Sequence, residues 1–271
     1  MSRTAAVLGS PIGHSLSPTL HRAAYQALGL TDWTYGAREC DEQGLAPLLA
    51  AAGPEVAGYS CTMPLKRAVL AVAASVSERA GAIGAGNTLL PDAGGWRAEN
   101  TDWIGIRDAL AAREVTVAGK DIVLLGAGGT AQAALAALVE AARVTALVRD
   151  PARTGELLAS AERLGVRVEI APLSQAQSLT GAELVISTLP AGAADGLDRH
   201  WRPGQAVLDV VYHRWPTVLA ATAGRNGATV ISGASMLLFQ AAAQVELMTG
   251  RTAPVEAMRA ALLAAAPGCG G

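Results

Sequence analysis

Gly126, Ala127, Gly128, Gly129, Thr130 and Ala131 stand mid-chain in the pattern G-x-G-x-x-A, with an apolar run before them and an alanine-rich run after. These residue types at this spacing suit one piece of chemistry. Backbone N–H groups at a helix N-terminus can hold the pyrophosphate of a dinucleotide. Gly126 allows the tight turn, Gly128 lets backbone approach the pyrophosphate, and Ala131 lets the helix lie close to the strand. In isolation the motif is also a glycine-rich turn of any α/β protein. Here it follows an expected strand, Ile122–Leu125, opens an expected helix, and precedes a second strand, Val144–Val148. That is the context the nucleotide reading needs.

The end of the second strand bears on which dinucleotide. An acidic residue there suits a free ribose 2′-OH, whereas arginine suits a 2′-phosphate through bidentate charge-assisted bonds. Val148 is followed by Arg149-Asp150-Pro151-Ala152-Arg153. Arg149 favours NADP and Asp150 counts against it. Arg153 reads equally as a second phosphate ligand or as a solvated helix residue, so NAD stays open.

The front of the chain offers weaker signals. Ser15 and Ser17 come at the start of a helix that ends at Gly29, with Ser17 expected as N-cap and Pro18 as first helical residue. Two hydroxyls at a helix N-terminus could bind a carboxylate, or Ser17 could be only a cap. Lys66 follows a strand and a proline, Asp102 opens a helix, and Asn87 and Asn100 each precede a threonine. By type and spacing alone these are ordinary surface groups. Cys40, Cys61 and Cys269 suggest neither a disulfide framework nor a zinc site, and His14, His21, His200 and His213 lack metal-ligand spacing, so no metal is expected.

The elements that must position these groups read as α/β throughout. With 271 residues, 51% hydrophobic and 16% charged, the chain can bury a core, and a net charge of −2 argues against nucleic acid as a partner. No apolar run reaches membrane-spanning length. The N-terminal MSRTAAVLGSPIGHS reads as a strand and turn, not a signal peptide, which points to the cytoplasm. Strands are expected at Thr4–Leu8, Trp33–Glu39 and Val56–Thr62, with helices after Asp41 and from Pro64. A hairpin joins Thr88–Leu90 to Trp96–Ala98, and a helix covers Asp102–Arg113. Beyond the glycine turn, strands at Val166–Ile170, Leu184–Ser187, Ala206–Val210 and Thr229–Ile231 alternate with helices, the pattern of a parallel sheet covered on both faces. The chain closes on helices Ala234–Met248 and Pro254–Ala265.

Taken together, the segments resemble the shikimate dehydrogenase family. The matching pieces are Gly9–Pro18 with His21 after it, Thr62–Lys66, Gly84–Leu89, Asn100–Asp102, Gly126–Ala131 and Gly233–Gln240, in the family's order. The resemblance implies reversible reduction of 3-dehydroshikimate to shikimate with NADPH. It also implies two lobes. An N-terminal α/β substrate domain, residues 1–101, would be completed by the C-terminal helices, residues 234–271. A Rossmann-like NADP-binding domain with a parallel sheet, residues 102–233, would lie between them in sequence, with substrate in the cleft.

Carried over by motif, Lys66 and Asp102 would be the catalytic pair, and Ser15 and Ser17 would bind the substrate carboxylate. Thr62, Asn87 and Gln240 would bind ring hydroxyls, and Tyr212 would close on the carboxylate. Thr188, Leu189 and Gly233 would lie near the cofactor. Three departures stand out: Ser60 where the family often has Asn, Val148-Arg149-Asp150 where Asn-Arg-Thr is common, and Glu99 where an aromatic residue is common. The alternatives are a quinate or aminoshikimate dehydrogenase, perhaps using NAD, and a non-catalytic ligand-binding relative. A monomer or homodimer is expected.

Overall fold

The computed structural model describes residues 2–178, 181–197 and 200–269. The chain forms two compact units, Met1–Gly105 with Leu237–Ala265, and Ile106–Met236 with Ala266–Gly271.

The first unit runs β1 (Arg3–Gly9), α1 (Ser17–Ala27), β2 (Trp33–Glu39), α2 (Glu42–Ala50), β3 (Val56–Cys61), α3 (Ala68–Val72), β4 (Ser75–Val76), α4 (Glu78–Ile83), β5 (Thr88–Asp92) and β6 (Gly95–Glu99). Its sheet has the order β2-β1-β3-β5-β6-β4. β1, β2 and β3 are parallel, while β5 is antiparallel to both β3 and β6. Successive residues of β1 enter different cores. Ala6 and Leu8 pack with Leu45, Leu65, Val69 and Leu89, whereas Ala5 and Val7 pack with Tyr25, Tyr35 and Met248. The period-2 alternation of a strand thus buries both faces of this sheet.

Helix α5 (Asp102–Ala111) leads into the second unit. There follow β7 (Asp121–Leu125), α6 (Gly129–Ala137), β8 (Arg143–Val148), α7 (Gly155–Leu164), β9 (Val168–Pro172), β10 (Leu184–Ser187), β11 (Ala206–Asp209), α8 (Val218–Arg225) and β12 (Thr229–Ser232). The sheet order is β12-β11-β10-β7-β8-β9 and every pairing is parallel. The reversal of order at β7 is the switch point where such sheets bind ligands, at the strand C-termini. Helices α9 (Gly233–Thr249) and α10 (Val255–Ala265) close the chain, and from Leu237 onward they belong to the first unit. Among the described residues no helix is long and apolar enough to cross a membrane.

Three local expectations need correction. Ser17 is not the N-cap of α1. The cap is Leu16, which makes no side-chain cap bond, and Ser17 is already helical with its N–H given to Ser15 Oγ at 3.3 Å. The helix after Pro64 starts only at Ala68, because residues 63–67 form turns in which Leu65 N donates to Thr62 O at 2.8 Å. The strand expected from Val166 begins at Val168. Val166 is used to end α7 instead, with Gly165 left-handed at φ +68° and Val166 N donating to Ala161 O at 2.9 Å.

Candidate active site

The antiparallel placement of β5 between β3 and β6 decides where the polar residues of the first unit meet. It sets the ends of β3 and β6 beside the start of β5. Lys66 follows β3, Asn87 precedes β5 and Asp102 follows β6. The backbone pins these junctions: Gly86 N donates to Lys66 O at 2.7 Å, Asn87 N to Glu99 O at 2.9 Å, and Cys61 N to Asn87 O at 2.7 Å. Residues 36 positions apart in the chain then form an ion pair, with Lys66 Nζ 2.6 Å from Asp102 Oδ2. The Lys66 side chain is 20% exposed and that of Asp102 only 6%. The pair is therefore open to a small molecule on the lysine side and supported by protein on the carboxylate side.

Asn87, itself buried, supplies much of that support. Its Nδ2 donates to Asp102 Oδ1 and to Thr101 Oγ1, both at 2.9 Å, and lies 3.3 Å from Gln240 Oε1. Two hydrogens face three acceptors, so the longest contact is the weakest. Its Oδ1 accepts from Thr101 N and Thr88 Oγ1, both at 2.8 Å. Asn100 adds a second brace, accepting from Asp102 N at 2.9 Å while donating to Ala85 O at 2.8 Å. The Asp102 oxygens thus face an ammonium on one side and an amide N–H on the other, an arrangement that holds a cationic donor in one place.

Other expected substrate residues belong to the same unit. Ser15 and Ser17 lie at the entry to α1, where His21 anchors the turn by placing Nδ1 2.9 Å from Ser17 O. Thr62 is held by its N–H, which donates to Leu8 O at 2.9 Å. A Cβ at Gly9 would lie 2.5 Å from Thr62 Cγ2 and 2.9 Å from Met63 O, so glycine is needed for that close approach. Gln240 is on α9, one turn before Gln244. Gln244 was not singled out by sequence reasoning, although two glutamines four apart in an apolar helix share one face and carry a detectable signal.

In the second unit the glycine turn lies between β7 and α6, as its pattern requires. Gly126 has φ +109°, and a Cβ there would lie 2.5 Å from Thr188 Oγ1, which itself donates to Leu125 O at 2.7 Å. Gly128 is the N-cap of α6, with no side-chain cap bond and nothing within 4 Å of the position its Cβ would take. Backbone N–H groups of the first turn, an open approach and the helix dipole together suit an anionic pyrophosphate. Ala131 is fully buried and Leu189 nearly so.

Arg149 and Arg153 are both exposed beyond β8. Asp150 between them caps the short 3-10 turn Pro151–Arg153, its Oδ1 accepting from Ala152 N at 3.0 Å. This gives the acidic residue a local backbone role that the sequence alone did not show. At Gly233 a Cβ would run into the Val210 carbonyl, so glycine is required for the start of α9 to pack against the residue that follows β11.

Tyr212 follows β11 in a loop tied to Asp209. The buried Asp209 carboxylate accepts from Thr217 Oγ1 at 2.7 Å and from Val211 N at 3.2 Å. Burial pushes its pKa up, against these hydrogen bonds. Burial likewise pushes the Tyr212 phenol up.

A switch-point parallel sheet with an open glycine turn, in one chain with a braced lysine–aspartate pair, defines a dinucleotide-dependent oxidoreductase. The comparisons with known proteins are specific. Residues 7–89 match the family model for the shikimate dehydrogenase substrate binding domain, and residues 233–263 that for the shikimate 5'-dehydrogenase C-terminal domain. A curated shikimate dehydrogenase (NADP(+)) of Methanothrix thermoacetophila is 38% identical over 267 residues, covering 96% of each chain. The solved shikimate dehydrogenase of Mycobacterium tuberculosis is 43% identical with a TM-score of 0.87, covering 97% of this chain and 99% of that one. The shikimate 5-dehydrogenase of Thermus thermophilus, solved in complex with NADP(H) and shikimate, is 33% identical with a TM-score of 0.83, covering 97% and 99%. The chain belongs to the shikimate dehydrogenase family.

Proposed function

We propose that this protein interconverts 3-dehydroshikimate and shikimate with NADP(H), in the biosynthetic route to aromatic amino acids. The observation that carries the proposal is the 2.6 Å Lys66–Asp102 pair, braced by Asn87, in a chain that matches NADP-dependent shikimate dehydrogenases along nearly its whole length. The first unit supplies substrate contacts and proton handling, and the second supplies the nucleotide turn.

When bound, the nicotinamide supplies the hydride chemistry. The protein's own task is to manage the oxygen of the reacting carbon. On reduction that oxygen gains a proton as the carbon gains hydride, and on oxidation both leave. Lys66 Nζ gives or takes the proton and stabilises negative charge developing on the oxygen. Asp102 holds the ammonium in position, and Asn87 holds Asp102. Thr62 and Gln240 contact ring hydroxyls, and Asn87 does so by giving up its bond to Thr101 Oγ1. Ser15 and Ser17 bind the substrate carboxylate with hydroxyl groups at the start of α1, where the helix dipole favours an anion.

For the cofactor, Gly126 to Ala131 would hold the pyrophosphate and Arg149 would read the 2′-phosphate, with Arg153 as a second cation. The capping role of Asp150 supports this choice, because its carboxylate is engaged by the Ala152 amide. Steady-state rates with shikimate, quinate and an aminoshikimate, each with NADP and NAD, test the assignment. The highest kcat/KM should fall to shikimate with NADP. A large preference for NAD, or for either other substrate, would overturn the corresponding half.

A further inference from the structure

Behind the Lys66–Asp102 pair runs a buried chain of hydrogen bonds whose every direction is determined. The backbone carbonyl of Asn87 can only accept, so the Gln244 atom 3.1 Å from it is the amide nitrogen Nε2. Gln244 Oε1 must then be the atom 2.7 Å from Ser60 Oγ, which donates to it. Ser60 in turn accepts from the Tyr35 hydroxyl at 2.6 Å. On the other side, Gln244 Nε2 donates to Thr88 Oγ1 at 2.9 Å, and Thr88 donates to Asn87 Oδ1 at 2.8 Å. Thr101 N–H reaches the same Oδ1 at 2.8 Å, which identifies that atom as the amide oxygen and so gives the direction of the Thr88 bond. Asn87 Nδ2 is thereby aimed at Asp102 Oδ1, 2.9 Å away.

Every donor along the path points from Tyr35 toward the Asp102 carboxylate, and such aligned bonds polarise one another. Ser60, Thr88 and Gln244 are at most 4% exposed, so no solvent could replace a lost partner cheaply.

We propose that Gln244, with Ser60 and Thr88, is a positioning residue for the Asn87 amide, and through it for the Lys66–Asp102 pair. A glutamine on α9 thus sets the geometry of a pair carried by the ends of β3 and β6. The inference rests on the proposed role of Lys66 and Asp102 in shikimate oxidation.

The test is steady-state kinetics of shikimate oxidation by the full chain. Thr88→Val removes only the bridging hydroxyl, Gln244→Leu removes the bonds to Ser60, Asn87 O and Thr88, and Leu45→Val loosens a core position that takes no part in these hydrogen bonds. Gln244→Leu should lower kcat by about tenfold and Thr88→Val by about fivefold, with the KM for NADP within about twofold of wild type. Thr88→Ser, which returns the hydroxyl, should recover most of the loss. Leu45→Val should lower Tm without a matching fall in kcat. The positioning role is refuted if Thr88→Val and Gln244→Leu, or whichever of them folds, keep kcat within about twofold. It is also refuted if Leu45→Val at equal loss of Tm costs as much kcat. A wild-type protein without shikimate activity would overturn the functional assignment and this inference with it. Activity that the variants leave untouched would overturn this inference alone.

Discussion

His21 is fully buried on α1, with its ring stacked on Tyr35 at a centroid distance of 3.9 Å and its Nδ1 2.9 Å from Ser17 O. A carbonyl can only accept, so the neutral ring carries its hydrogen on Nδ1. Burial lowers the His21 pKa from its ordinary 6.5 to about 4, opposed in part by the bond to Ser17. The unfolded chain therefore takes up a proton at His21 as pH falls through 6.5, while the folded protein does so only near 4. The stabilisation is fully present above pH 6.5 and is lost as pH falls from there toward 4. The complete loss is about 3 kcal/mol, of which about 2 kcal/mol is gone at pH 5.

Urea unfolding of wild type and His21→Phe at pH 7.5 and pH 5 isolates this contribution. Phenylalanine keeps an aromatic ring beside Tyr35 but does not titrate. At pH 7.5 the variant should be less stable by about 1 kcal/mol, the worth of the lost bond to Ser17. At pH 5 wild type has lost about 2 kcal/mol that the variant never had, so the variant should be the more stable by about 1 kcal/mol. The two stability curves cross. Parallel curves over that interval would refute the reasoning, since they would show that His21 titrates alike in the folded and unfolded chains.

Ser15→Ala and Ser17→Ala should each raise the KM for shikimate by about tenfold with little change in kcat, and an unchanged KM in both would remove the carboxylate role. Arg149→Ala should raise the KM for NADP by about tenfold and leave that for NAD nearly constant, whereas equal effects on both would show that the guanidinium does not read the 2′-phosphate. The glycine turn separates backbone need from ligand need. Gly126→Ala meets both a φ of +109° and a contact 2.5 Å from Thr188 Oγ1, so it should lower Tm. Gly128→Ala has open space, so it should keep Tm and weaken NADP binding, measurable by fluorescence titration. Loss of Tm in Gly128→Ala with undiminished NADP affinity would reverse that assignment.

The fold was most legible where period and punctuation agree. Strand Leu184–Ser187 and strand Trp33–Glu39 were expected at the bounds observed, and the α/β alternation around Gly126 gave the parallel sheet. Legibility failed where one residue can do two jobs. Ser17 has the chemistry of a cap but lies inside the helix, and Val166 has the propensity of a strand but closes α7. The short elements β4 and α4 were missed because two and six residues carry too little periodicity to stand out.

The site shows the same limit. Lys66, Asn87 and Asp102 are ordinary by spacing, since only the antiparallel insertion of β5 brings them together. Family motifs gave them roles, but gave none to Thr88, which lies within the Gly84–Leu89 motif, and did not include Gln244, because their part lies in hydrogen bonds spanning more than 150 residues of chain. The Asp150 cap was likewise hidden, because a local backbone bond leaves the residue type looking like a charge at a phosphate site.

The most direct test is shikimate-dependent reduction of NADP, followed at 340 nm (the absorbance of reduced nicotinamide), by wild type and Lys66→Ala side by side. Wild type should reduce NADP in proportion to shikimate. Lys66→Ala should bind shikimate with a KM within a few-fold of wild type while kcat falls by about a hundredfold or more. No shikimate-dependent reduction by wild type, or a Lys66→Ala variant whose loss lies in KM with kcat preserved, would contradict the assignment of Lys66 as the group that moves the proton.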